Sequence, residues 1–412
     1  MLEAASPQTA QVSPVQPPRR FTAVDALRGF AMFWIIGADS LAHSFAKMSG
    51  TPFAQTLGNQ LEHVEWRGFR FYDLIFPLFV FLVGVSMVFS LDGIIARSGR
   101  RDAAKRVVTR GLLLVAIGIL YYGGFSNPWP EMRLAGVLQR IGICYLFAGL
   151  AYICLRPRGL VILCSALLAG YWGMMTFLPF PDIHLENTSI ETLALQAGSS
   201  EPEALVAATS QRVSGVFEPG YNLAHYIDWR YLPGKRLSRY YDPEGVLSNL
   251  PAIATCLLGA FAGLLLKEPR FSGKQKVTFL LIAGTACVLG GLLWGLQFPV
   301  IKKLWTSSYV LVAGGFSAIL LGLFSLIIDE WKYQRWCRPL LWMGMNSIAI
   351  YLASNVIGFG KLANRFVGGN IKQWLDANIT EGFGGLVVTL VGIAIAFSLV
   401  RFLYQRKIFL RI

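Results

Sequence analysis

The sequence predicts an all-α polytopic membrane protein of about ten transmembrane helices, with both termini on the inner side, and three observations predict it. Hydrophobic residues make up 54% of the chain against 15% charged, with a mean hydropathy of +0.52, whereas a soluble domain carries about 25% charged residues. The apolar residues fall in blocks of about 20, the length a helix needs to cross ~30 Å of hydrocarbon. The cations, finally, concentrate on alternate connections between those blocks.

Residues 1–20 are rich in Pro, Gln and Ser and lack an apolar run, which predicts a disordered cytoplasmic tail and argues against a cleaved signal peptide. Residues 21–412 are expected to form one transmembrane domain. Its first span, Ala23–Leu41, opens with Asp25 and Arg28 at i and i+3, spaced to pair on one helical face, and holds Asp39 near its far end. The second, Phe69–Leu91, leads into a dense basic connection from Arg97 to Arg106. The third, Val107–Tyr122, ends at the Asn127-Pro128-Trp129-Pro130 turn. The fourth, Leu134–Leu155, carries Gln139 and Arg140 well inside its apolar run, and the fifth, Gly159–Leu178, follows Arg156-Pro157-Arg158. Residues 179–245 then turn polar, and a connection that long is usually functional or disordered. Its aromatics and Gly/Pro turns favour an ordered periplasmic cap between spans five and six. Val246–Leu266, Val277–Leu296, Ser308–Ile328, Leu340–Ile357 and Gly384–Leu403 complete the ten.

Charge orients the set. Of 37 Lys and Arg, 21 lie on inner connections and tails, 14 on outer loops, and Arg28 and Arg140 within spans. The 23 acidic residues divide as 7 inside and 14 outside, with Asp39 and Asp73 within spans. The inner face therefore holds the whole net charge of +14, and the positive-inside rule gives an N-in, C-in arrangement. The basic balance thus reports orientation in a lipid bilayer and implies no nucleic acid. The six cysteines lie in or beside apolar blocks without a CxxC pair, which predicts buried thiols and neither a disulfide framework nor a metal site.

Only four histidines occur in the chain. His63 sits just outside the second span on the outer face, between Glu62 and Glu65, and Asp73 lies inside the run that follows. A solvated loop histidine is the plain alternative. Asp73 weighs against it, because an ionisable group in hydrocarbon is costly and by default has a partner or a function. Asp39 belongs to the same side, and Arg140 lies deeper; Arg140 and Asp73 are either an ion pair holding two spans together or part of a polar path to the outer histidine. No internal repeat is evident, which weakens a reading as an inverted-repeat transporter.

Seven stretches then carry a resemblance. They are Val24-Asp25-Ala26-Leu27-Arg28-Gly29, His63 through Pro77, Leu134 through Arg140, Asp242-Pro243-Glu244-Gly245-Val246-Leu247, Leu304 through Val310, Gly344-Met345-Asn346-Ser347, and Arg406-Lys407-Ile408-Phe409. They run in order across nearly the whole chain, and on them the sequence resembles the heparan-α-glucosaminide N-acetyltransferase family and its bacterial relatives. The resemblance implies a transmembrane acyltransferase of the bacterial inner membrane. It would move an acetyl group from cytoplasmic-side acetyl-CoA to the amine of a glucosamine-type sugar on the periplasmic side. It implies His63 as the active-site histidine. At Asp39 the animal enzyme has an asparagine that the family counts as a second active-site residue.

Acetyl transfer to an amine needs a base or a nucleophile, and imidazole can serve as either. A carboxylate at Asp39 or Asp73 would orient the ring and stabilise its charged form. A carboxylate at Asp39, where the animal enzyme has the uncharged asparagine, also leans the chemistry toward direct attack of the amine on the bound donor over an acetyl-histidine relay. Arg28, suited to a phosphate, heads the expected acetyl-CoA contacts, with Arg140, Asn346 and Ser307. Some bacterial members are described as N-acetylglucosamine transporters, so a sugar transporter is the second class, though it has no need of an acyl-donor site. The sequence leaves open the acceptor sugar and the oligomeric state, a homodimer included.

Overall fold

The computed structural model describes residues 21–49 and 51–410, apart from the side chains of Asp39, Ala42 and Ser49. The expected tail, 1–20, lies outside the described residues. The chain enters α1 (Thr22–Phe33), passes a π-helical turn at Trp34–Ala38, and continues as α2 (Asp39–Ser49). Gly37 takes φ 116° inside that turn, a conformation that glycine adopts readily and that a right-handed helix cannot continue through. The first apolar block is therefore broken. α3 (Pro52–Gln60) follows, opened by Thr51, whose hydroxyl accepts from the Ala54 amide at 3.3 Å.

A 3₁₀ turn at Phe71–Leu74 leads into α4 (Ile75–Tyr121), which holds the second and third apolar blocks in 47 residues. Gly99, at φ 84°, breaks it, so the basic stretch expected as a connection is helical on both sides of a single glycine. α5 (Val137–Cys154) and α6 (Pro157–Phe177) match the fourth and fifth blocks, with Pro157 in the first turn, where its missing N–H costs nothing.

Residues 179–245 are folded. β1 (Phe180–Pro181) precedes α7 (Asn187–Ala197) and α8 (Pro202–Ala208), then pairs antiparallel with β2 (Arg212–Val213), Phe180 opposite Val213. β3 (Phe217–Glu218) pairs with β4 (Tyr221–Asn222), and α9 (Leu223–Tyr231) closes the unit. Two apolar clusters hold it: Phe180, Phe217 and Leu223 pack with Tyr171 of α6 and with Phe298 and Leu304, while Ile183, Leu185, Ile190 and Leu205 surround Trp229. Buried Asp228 of α9 accepts from the Val246 amide at 2.9 Å and the Asp242 amide at 3.4 Å, fixing the cap to the chain that re-enters the helical bundle. Burial pushes its carboxyl up to about 6.

The remaining helices are α10 (Asn249–Lys267), α11 (Gly273–Trp294), α12 (Ser307–Phe324), α13 (Arg338–Met345), α14 (Ser347–Ile357), α15 (Phe359–Val367), α16 (Gly369–Asn378) and α17 (Phe383–Gln405). Ser272 and Gln275 exchange side chain-to-backbone bonds at the start of α11, and the Thr306 hydroxyl accepts from the Tyr309 amide at the start of α12. Among the described residues seven helices are long and apolar enough to cross a bilayer, and up to eight if α13 and α14, bent by 80°, are one crossing. The number differs from the ten expected at three places: the block broken at Gly37, the two blocks joined in α4, and the bent ninth. The six cysteines are free thiols; Cys154, the last residue of α5, is exposed and Cys287 of α11 is half-buried, and both depart from the expected burial.

α10 sits at the centre, packed against α4, α5, α6 and α12. Its crossing with α4 is backbone on backbone. A Cβ on Gly84 would lie 1.9 Å from the Cys256 carbonyl oxygen, and one on Gly259 would lie 1.9 Å from that of Phe81. Small residues at such crossings let membrane helices gain dispersion contacts that larger side chains would block. Gly259→Ala is expected to force the pair apart and cost about 1–3 kcal/mol or more, read as a lower melting temperature in detergent. Gly290→Ala, inside α11 where a Cβ meets nothing within 4 Å, should keep or raise that temperature, since alanine favours a helix over glycine.

Candidate active site

The site is assembled around Asp73, in the 3₁₀ turn that opens α4 and 1% exposed. One carboxylate oxygen lies 2.8 Å from His63 Nδ1 and 3.4 Å from Lys302 Nζ. The other accepts from the amides of Val64, at 3.3 Å, and Arg70, at 3.1 Å. The segment 63–70 thus curls round the carboxylate, its own backbone supplying two donors, and this sets the histidine at the mouth of the helix. Half of the His63 side chain, 49%, is exposed, and its ring packs on Tyr72 at 4.6 Å between centroids. A carboxylate on Nδ1 favours the tautomer that makes Nε2 the basic nitrogen, and it stabilises the imidazolium formed when that base takes a proton.

Lys302 is the third member. Its Nζ lies 2.9 Å from His63 Nδ1 and 3.2 Å from Nε2. The turn that carries it is wired by Thr306, whose hydroxyl accepts from the Ile301 amide at 3.1 Å and donates to the Pro299 carbonyl at 2.9 Å. Trp305 takes φ 53° in that turn, and its indole donates to Thr255 of α10 at 3.0 Å. Burial pulls the Lys302 ammonium below the ordinary lysine range, against the opposing pull of Asp73. The loop before α4 meets this turn where Val300 accepts from the Gly68 amide at 2.9 Å, and it meets the cap where the Trp66 indole donates to Phe217 at 2.7 Å. Tyr309 of α12 adds a bond from its hydroxyl to the Asp73 backbone carbonyl at 2.8 Å.

Beside this cluster, Arg133 forks onto Asp242 at 2.9 and 3.1 Å and reaches Glu244 at 2.9 Å. Although burial acts to raise the Asp242 carboxyl, its bond to Arg133 holds it below the usual carboxylate range.

A cavity of about 300 Å³ runs along α4. Phe76, Phe79, Val83, Ser86 and Ser90 line it, a stripe of one helix face covering about 20 Å at 1.5 Å per residue. Its far end holds Arg106 and Arg110, and Arg28 of α1 lines it as well. Its near end begins at Phe76, one turn beyond Asp73. Phe76 stands edge-on to Trp305 at 5.2 Å, so one aromatic layer separates the cavity from the turn bearing Lys302.

The structure brings His63 and Asp73 together and places Arg28 on the cavity wall, its guanidinium donating to Asp25 at 3.2 Å, the Gly344 carbonyl at 3.3 Å and Ser86 at 2.5 Å. Asp39 begins α2, with its side chain outside the described residues. Arg140 is buried over the Trp305 ring at 4.8 Å and bonds Ser248, with Nε and Nη1 unpartnered among the described residues. Asp73 has His63 and Lys302 as its ionic partners, so the Arg140–Asp73 pair does not form. Asn346 lies at the bend between α13 and α14, where its neighbours Met345 and Ser347 line the cavity. The Ser307 hydroxyl donates to the Leu168 carbonyl at 2.7 Å, away from the cavity. Lys302 and Tyr309 contact His63 and Asp73, which reading the sequence did not assign, although both flank or fall in the Leu304–Val310 stretch. Among the described residues no group of three His, Cys, Asp or Glu is placed to hold a metal ion.

Comparison with known proteins shows what this chain is similar to. Residues 20–192, which include Arg28, His63, Asp73 and Arg140, match the family model described as heparan-alpha-glucosaminide N-acetyltransferase, catalytic. The chain is 26% identical to the human heparan-alpha-glucosaminide N-acetyltransferase across 98% of its own length and 62% of that protein. It is 25% identical to the mouse protein across 95% of its length and 60% of the mouse chain. The chain thus spans about three-fifths of the relatives it matches. These matches bear out the resemblance carried by the sequence motifs: the chain is similar to the heparan-alpha-glucosaminide N-acetyltransferases along nearly its whole length.

Proposed function

We propose that the protein is a membrane acetyltransferase that passes an acetyl group from acetyl-CoA to the amine of a glucosamine-type sugar, with His63 as the base. The observation that carries this reading is the cavity along α4, cationic at one end and one helical turn from Asp73 at the other. A donor with a phosphorylated head and a long apolar arm matches that shape, with Arg28, Arg106 and Arg110 as phosphate partners. The acceptor approaches the exposed side of His63. His63 takes the amine proton as the nitrogen attacks the thioester carbonyl, and Asp73 stabilises the imidazolium, so transfer is direct. The matching relatives, named for N-acetyl transfer to a glucosaminide, support the same chemistry.

Ten crossings, N-in and C-in, complete the proposal, with residues 179–245 as a periplasmic cap in a bacterial inner membrane. In that orientation Arg106 and Arg110 face the cytoplasm, where acetyl-CoA is made, and His63 faces the acceptor outside.

Three measurements test it. His63→Ala should keep an acetyl-CoA-dependent rise in melting temperature yet lose acetylation of glucosamine by about 10²–10⁴-fold, the usual cost of a positioned base; a variant retaining a tenth of the turnover would remove His63 from the chemistry. Replacing Arg106 and Arg110 together by alanine should raise the acetyl-CoA KM roughly tenfold or more, since charge-assisted phosphate contacts are each worth about 1.5–3 kcal/mol, and should leave saturated turnover nearly intact. For orientation, single cysteines in 97–106 should resist an impermeant thiol reagent in intact cells while those in 185–215 react, in a background with the exposed Cys154 replaced; the reverse pattern would invert the arrangement.

A further inference from the structure

Lys302 places a primary amine against the side chain proposed to take protons from amines. Its Nζ touches both His63 nitrogens, at 2.9 and 3.2 Å, and only 21% of its side chain is exposed. Neutralising Asp73 does not by itself account for it, because His63 already meets that carboxylate at 2.8 Å and two backbone amides fill its other oxygen. The Thr306-wired turn holds the lysine stem in place, and Trp305 of the same turn packs on Phe76 at the near end of the cavity. The next residue provides an internal comparison: Lys303 turns instead over the Trp66 ring at 6.0 Å.

We propose that Lys302 is a modification site of the protein itself, acetylated at Nζ from acetyl-CoA when no sugar occupies the outer mouth. This rests on the acetyltransferase reading above. The step needs no further reactant. His63 removes one proton from the Lys302 ammonium, the freed nitrogen lone pair forms a bond to the thioester carbonyl carbon, the carbon–sulfur bond breaks, and the departing thiolate takes the second proton from that nitrogen. The products are an amide on Lys302 and free coenzyme A, and the imidazolium returns its proton to solvent. Burial lowers the Lys302 ammonium, which makes the neutral amine easier to reach. An amide is far too stable to pass its acetyl group onward, so the modification ends a catalytic cycle and is no relay. It removes the lysine charge beside Asp73 and fills the space next to the His63 ring, which silences the enzyme until it is reversed or replaced.

The test uses the full-length protein in detergent with acetyl-CoA, with and without glucosamine, followed by peptide mass spectrometry and a parallel assay of glucosamine acetylation. The expected result is near-stoichiometric acetylation at Lys302 and not at Lys303, slowed by glucosamine and resistant to hydroxylamine, which would strip an acetyl-imidazole. His63→Ala should slow it by about 10²–10⁴-fold, and Lys302→Arg should abolish the label. A preparation that acetylates glucosamine but leaves Lys302 unmodified, or that labels Lys302 and Lys303 equally, overturns the inference and leaves the proposed function standing. A preparation that acetylates neither glucosamine nor Lys302 overturns both.

Discussion

An ionised carboxylate out of water is the constraint on which the rest of the site depends. Moving such a group into a protein interior costs several kcal/mol unless donors surround it. Asp73 is almost wholly buried, and its donors come from two stretches far apart in sequence: His63, Val64 and Arg70 from the loop before α4, and Lys302 from the turn before α12. Tyr309 holds the backbone at the same residue. The loop is ordered because it wraps this charge, and the histidine stands at the helix mouth because the loop wraps it that way. Satisfying one buried acid thus builds a half-exposed His63–Asp73 dyad with Lys302 beside the ring.

α4 carries both halves of the arrangement on different faces. One face gives the cavity its wall, from Phe76 through Ser90, in steps of three and four residues. Gly84 faces α10 instead, where its missing side chain admits the Cys256 carbonyl. Backbone-to-backbone packing on that side leaves little room for sliding, so the spacing between Asp73 and the cavity wall is set by a rigid helix. The cap contributes in a different way. Its ties at Trp66 and Gly68 hold the loop ends, and the bonds to Asp228 hold the cap's own exit.

Much of this was legible in the sequence, and the exceptions have physical causes. Blocks four to eight and ten became helices close to the expected limits because an apolar run of membrane length has few other ways to satisfy its backbone. The first block was not legible as two pieces, since a single glycine at φ 116° broke it inside an unbroken apolar run. His63 and Asp73 could be paired from ten residues' separation and the cost of a buried acid. Lys302 could not, because its partner lies 239 residues earlier and a lysine in an outer loop reads as a solvated charge. Ser307 belongs to a motif that the family resemblance singled out, yet its hydroxyl bonds a neighbouring helix. A motif marks positions under constraint without saying whether packing or chemistry imposes it.

The aromatic layer of Phe76 and Trp305 has a consequence for the cell. With His63 facing outward as proposed, a cavity that approaches it from the cationic face would, if it held continuous water, short-circuit the gradients that the membrane maintains. Trp305 is anchored by Thr255 and lies under the buried Arg140 guanidinium, while Phe76 stands edge-on against it. A fixed positive charge in low dielectric repels a hydrated cation or a proton strongly. In the proposed orientation the same three side chains, which divide the cavity from the histidine, would insulate the bilayer electrically, and admitting a thioester past them must not admit protons.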